Sequence, residues 1–140
     1  MNNILNITNG IDSAIQVLQK DLYDNLIVSW VDDLEGYGRI YKNIDSNSNK
    51  YVPQWWNSEI FEYVDVRYND DVSGLFCFID SDRHDTEDGD VFTSDVKCVF
   101  MLNLNKVLPS KVERADAKVQ QDAINIIKDN GYGFEITGIE

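Results

Sequence analysis

Only two cysteines, two prolines and one histidine occur in this chain of 140 residues, and its 12 lysines and arginines face 25 aspartates and glutamates. Each scarcity removes a class of explanation. Cys77 and Cys98 sit inside apolar runs and read as small buried hydrophobes in a reduced chain assembled inside the cell, not as a disulfide framework. The lone His84 has no partner nucleophile at a recognisable spacing, so no His-based catalytic constellation is expected. No phosphate-cradling glycine pattern, zinc-ligand spacing or Gly-x-Ser-x-Gly elbow occurs. No window approaches the roughly eighteen apolar residues of a membrane span, and residues 1–10 do not resemble a signal peptide, so the expectation is a soluble, unexported protein. The shortage of basic residues leaves a formal charge of −13. That charge repels nucleic acids and anionic membranes, although an acidic wall past which DNA slides without sticking remains compatible with it.

What is present fits a single domain over residues 1–140 with loops projecting near 44–50 and 80–90. Ile11, Ala14, Ile15, Leu18 and Leu22 mark one face of an amphipathic helix over about 9–22. Residues 26–31 read as a first strand. Segments 38–43 and 50–56 flank the turn-forming Asp45-Ser46-Asn47-Ser48-Asn49 and predict a hairpin, with Pro53 placing the second strand at an edge or near its end. Residues 59–68 alternate loosely as a strand or extended arm, and 74–79 and 92–104 are strands closing an open hairpin. Ser110 and Glu113 have capping-box spacing ahead of a helix over 111–129, with Gly131 as its stop and a final strand over 134–139. The order implies an α+β fold: a mostly antiparallel β-sheet with two helices packed on one face.

The densest signal is acidic. Asp80, Asp82, Asp85, Glu87, Asp88 and Asp90 crowd residues 80–90, relieved by Arg83 and His84. Carboxylates are almost never buried unpaired, so the segment reads as a loop projecting into water or onto a partner. A calcium loop needs carboxylates in another order, with glycine where Asp85 stands and helices where strands flank. No cofactor, metal site or catalytic residue is expected, and a metal-dependent hydrolase or nuclease using these carboxylates ranks last among the readings. Adjacent Trp55 and Trp56 point to opposite faces of a strand, so one enters the core and the other is an exposed aromatic of the kind interfaces enrich.

The layout of an early helix, antiparallel strands with a long charged hairpin, the helix Ala115-Asp116-Ala117-Lys118-Val119-Gln120-Gln121-Asp122-Ala123-Ile124-Asn125-Ile126-Ile127 and the closing Phe134-Glu135-Ile136-Thr137-Gly138-Ile139 resembles the tail-terminator and head-to-tail connector proteins of tailed bacteriophages. The Asn- and Asp-rich composition also resembles proteins of crAss-like phages. This resemblance implies a non-enzymatic virion protein of the neck or tail, assembled in the host cytoplasm. It would form a homo-oligomeric ring, commonly six- or twelve-fold, against portal, neck or tail neighbours, with DNA passing through the lumen unbound. The competing reading is a small acidic binding module or inhibitor that presents its carboxylate loop to a basic partner. In either case the interface candidates are the acidic segment from Asp80 to Asp90, with Trp55 and Trp56.

Overall fold

The computed structural model describes residues 1–30, 33–45, 47–67, 71–87, 91–109, 113–129 and 134–139, with side chains at all of these but 82–87, 91 and 92. Ile15, Leu18, Leu22 and Leu26 recur every three or four residues, share one helical face, and are all buried on α1 (Ile11–Ser29). This helix corrects the expected strand over 26–31, because the apolar residues there divide by helical period. Leu26 is fully buried, whereas Val28 is 82% exposed. Trp30 ends the helix with its backbone N–H on Leu26 C=O at 2.8 Å, and its indole N–H donates to Asp122 at 2.9 Å.

A two-residue strand, β1 (Asn2–Asn3), lies parallel to β2 (Leu34–Arg39), with α1 as the crossover between them. β2 lies parallel to β6 (Gly74–Glu87), which pairs antiparallel with β7 (Val91–Leu102), giving a four-stranded sheet of order β1-β2-β6-β7. Between β2 and β6 the chain builds a second sheet from β3 (Tyr41–Ile44), β4 (Tyr51–Asn57) and β5 (Glu62–Asp65). Three of the five strand pairings are antiparallel, and the class is α+β as expected.

Strand alternation sorts the central side chains into two cores. Phe76 and Phe78 pack among Ile15, Leu22 and Leu26 of α1 and Val119 of α3 (Ala115–Asp129). Leu75 and Cys77 face the other way, onto Tyr37, Val66 and the ring of Trp55. Helices thus cover one face of the four-stranded sheet and the small sheet covers the other. Each fully buried Leu, Ile or Phe contributes about 1.5–3 kcal/mol.

Two glycines in β2 permit this packing. A Cβ at Gly36 would stand 2.7 Å from Asn2 Oδ1 and 2.9 Å from the Phe76 ring, and one at Gly38 would stand 2.9 Å from Gln19 Oε1. Gln19 is buried on α1 and donates from Nε2 to Asn2 Oδ1 and Asn3 C=O, both at 2.9 Å, which fixes β1 against the helix.

Other expectations need correction. The 38–43 and 50–56 hairpin forms as β3 and β4, but β4 is the middle strand of its sheet, not an edge. Pro53 fits there because its C=O accepts from Val66 N–H at 3.0 Å just beyond β5, so the absent N–H falls where that ladder ends. The last long helix starts at Ala115, after Arg114 at φ 56°, so Glu113 precedes it instead of sitting in its first turn; Ser110 and Gly131 lie outside the described residues. Residues 134–139 form no strand, and Phe134 packs against the helical core. A short α2 (Leu104–Val107) follows β7, capped by Asn103, whose side chain accepts from Asn105 N–H at 3.2 Å.

Candidate functional site

The end of β2 carries a cation bonded to three other elements of the fold. Arg39 meets Asp12 of α1 through a fork, with Nε 2.9 Å from Oδ1 and Nη2 3.1 Å from Oδ2. The Nε contact lies off the line of a hydrogen bond, so the Nη2 contact supplies the directional bond and the first is an ion contact. Nη1 lies 3.4 Å from Asp80 Oδ2 on β6, and Asp80 Oδ1 accepts from Ser94 Oγ of β7 at 2.7 Å. Nη2 also donates to Tyr41 Oη at 3.1 Å, with the guanidinium 5.0 Å above the Tyr41 ring. Partial burial works against the charge, but Asp12 and Tyr41 outweigh it and raise the guanidinium's pKa. One side chain therefore ties together the first turn of α1, the entry to the small sheet and the β6–β7 hairpin.

Beyond this junction the hairpin becomes an arm. The last β2 pairing is Arg39 with Phe78, so from Ile79 to Glu87 β6 is paired with β7 alone. Those nine residues span about 30 Å at the usual strand rise. Between Asp80 and His84 the register shifts, four steps on β6 matching two between Val96 and Ser94 on β7. Bulges of this kind bend a ladder and increase its twist.

The predicted interface residues therefore sit differently from expectation. Asp80 is a strand residue 11% exposed in its side chain and committed to Arg39 and Ser94, not part of a projecting loop. Asp82, Arg83, His84, Asp85 and Glu87 lie on β6 itself, so that much of the acidic segment is paired backbone. Asp88 and Asp90 lie outside the described residues. Neither tryptophan is fully exposed. Trp55 packs on Tyr37 at 5.5 Å between ring centroids, and Trp56 meets Tyr63 edge-on at 5.0 Å. Tyr63 in turn contacts Tyr41 at 5.3 Å, joining the aromatic face of the small sheet to the Arg39 junction.

The same face carries a polar ladder that sequence reasoning missed. Asn43 donates to Gln54 Oε1 and Gln54 donates to Asp65 Oδ1, each at 2.8 Å, while Arg67 bonds Asp65 Oδ2 at 2.7 Å. The bonds from Gln54 and then Arg67 hold the Asp65 carboxyl below its usual range.

Scans against protein-family models, curated proteins and solved structures find no match. Among the described residues no group of three His, Cys, Asp or Glu side chains is placed to hold a metal ion, and no helix is long and apolar enough to cross a membrane. Cys77 and Cys98 are free; their strands are neighbours, but Cys77 lies with the small-sheet core and Cys98 with the helical core, on opposite faces. Burial pushes the Cys77 thiol up to about 11 and raises Cys98 as well, which leaves both poor nucleophiles.

Proposed function

We propose that this chain is a non-enzymatic structural subunit of a tailed-phage neck or tail, closing head to tail into a homo-oligomeric ring through which DNA passes. The observation that carries the reading is the β6–β7 arm, paired only within itself from Ile79 outward and anchored at its base by Arg39. Past its base, where Val96 still packs against the helical core, the ribbon has no third strand among the described residues, and such a two-stranded ribbon is marginal in water and gains stability by lying on another surface. Arms of this kind are natural joining devices, and a heterologous interface forms a ring when its rotation closes. The charge of −13 supports the DNA-passage part, because an acidic lumen avoids the counterion release that makes basic surfaces adhere.

The test is deletion of residues 81–89 in the phage and in the purified chain. The purified variant keeps its helical signal and cooperative unfolding, while electron microscopy of lysates shows particles arrested before the neck or tail is joined. Infectious particles produced at the normal rate by the deletion would refute the assignment.

A further inference from the structure

β7 is hydrogen-bonded on one side only, to β6, and ends the four-stranded sheet among the described residues. Two hydrogen bonds fix which of its main-chain groups face outward. Asn103 N–H donates to Ser73 C=O at 2.9 Å, and Phe78, which stands opposite Cys98, turns its C=O to Ile40 N–H on the β2 side at 2.9 Å. The ladder runs from Leu102 to Val96 without a shift. Odd-numbered β7 residues therefore bond to β6, while Val96, Cys98 and Phe100 turn their N–H and C=O groups away from it.

Open edges of this length are templates for another strand, and proteins often block them with a lysine. Lys97 taken alone is such a block. Asp95 changes its meaning, since it is exposed on the same face two residues earlier. If a second β7 approaches antiparallel about a two-fold axis at Val96, each Asp95 stands opposite the other copy's Lys97. Both pairs then occupy non-hydrogen-bonded positions, where side chains come closest. Neighbouring registers that keep the outward groups matched put the axis at Asp95, opposing two aspartates, or at Lys97, opposing two lysines. The charge pattern therefore selects one register.

We propose that β7 pairs antiparallel with β7 of a second copy about Val96, joining two four-stranded sheets into one continuous sheet. The partner is another copy of this chain because the edge is complementary to itself. As a two-fold contact it is distinct from the head-to-tail interface of a ring and does not depend on it.

The test is sedimentation equilibrium of the full chain at about 0.15 M salt, where charges are screened beyond about 8 Å. It compares the native sequence with Asp95→Lys, Lys97→Asp and the double exchange, and follows amide hydrogen exchange against concentration. Each single change turns two opposite-charge pairs into two like-charge pairs and weakens dimerisation about ten- to a hundred-fold, and the double exchange restores it. The single changes move the net charge in opposite directions, so weakening by both reports local pairing and not overall repulsion. Association also slows exchange at the Val96 and Cys98 amides. Equal association of all four proteins, a native chain that stays monomeric throughout, or association that leaves those amides unprotected would overturn the proposal. Sedimentation also separates the two readings, because a two-fold contact stops at a dimer whereas a head-to-tail ring grows past it, so the ring reading can fail or stand separately.

Discussion

Replacing Arg39 with methionine tests whether the ion junction holds the arm to the body. Methionine keeps most of the side chain's stem over the Tyr41 ring but strands two carboxylates. Exposed ion pairs contribute about 0–1 kcal/mol, whereas removing one partner of a buried pair costs about 3–5 kcal/mol. Side-chain exposures of 23% for Arg39, 18% for Asp12 and 11% for Asp80 place this junction between those limits. After discounting for residual solvent screening, the expected loss is about 2 kcal/mol. Urea unfolding followed by circular dichroism checks it: with an m-value of about 1–3 kcal/mol/M, the midpoint falls by about 1 M at unchanged slope. Asp80→Asn costs about 1 kcal/mol, because Asp12 keeps its fork, and a double-mutant cycle of Arg39 with Asp80 yields a coupling of about 1 kcal/mol. Faster amide exchange at Ile79 and Lys97, which face each other across the ladder, in the Arg39 variant would locate the loss at the base of the arm. A destabilisation below about 0.5 kcal/mol, or no coupling, would show that solvent already satisfies these charges and that the arm is held by its ladder alone.

Three further outcomes are expected. Leu26→Ala costs about 2–5 kcal/mol and Val28→Ala less than about 0.5 kcal/mol in the same unfolding assay; similar costs would contradict the helical reading of that segment. Phe61 holds φ 55° with its side chain 76% exposed, so Phe61→Gly stabilises the chain by about 0.5–1 kcal/mol, and a measurable loss would mean the ring has a packing role. The Asp65 carboxyl, held low by Gln54 and Arg67, contributes stability above its unfolded pKa of about 3.9 and loses it as pH falls through its lower folded value. A carbon-detected NMR titration reads that midpoint, which rises toward the ordinary value in Gln54→Leu; an unmoved midpoint would assign the depression elsewhere.

The elements that sequence reasoning located are those whose signal is local. The β3–β4 hairpin follows from the turn residues at 45–49, and the β6–β7 hairpin from two long apolar alternations. The last helix emerged from its periodicity, although its start was placed too early, since Arg114 holds φ 56° and leaves Glu113 ahead of the first turn. Residues 26–31 misled because the apolar run from Leu26 to Val28, with Trp30 after Ser29, reads as a strand, while the decisive spacing was Leu22 to Leu26 to Trp30, continuing the buried stripe of α1. β2 was missed over Leu34–Tyr37, and its last two residues were read into the hairpin strand over 38–43; Gly36 fits a central strand because Phe76 and Asn2 close on it. The Arg39 junction assembles positions 12, 39, 41, 80 and 94, none of which reveals the others without the topology.

The small sheet lies between two strands that must find each other in parallel, and this sets an order of events during folding. The β6–β7 hairpin closes between residues near in sequence, whereas Leu34 meets Gly74 only after the whole β3–β5 segment has been strung between them. Loop-closure entropy makes such a distant parallel pairing slow, and local pairings precede it. Until it forms, β6 carries an unsatisfied edge at the middle of the future sheet, the stage at which nascent chains are most prone to pair with the wrong neighbour. The molecule thus builds its outermost limb early and completes its centre last.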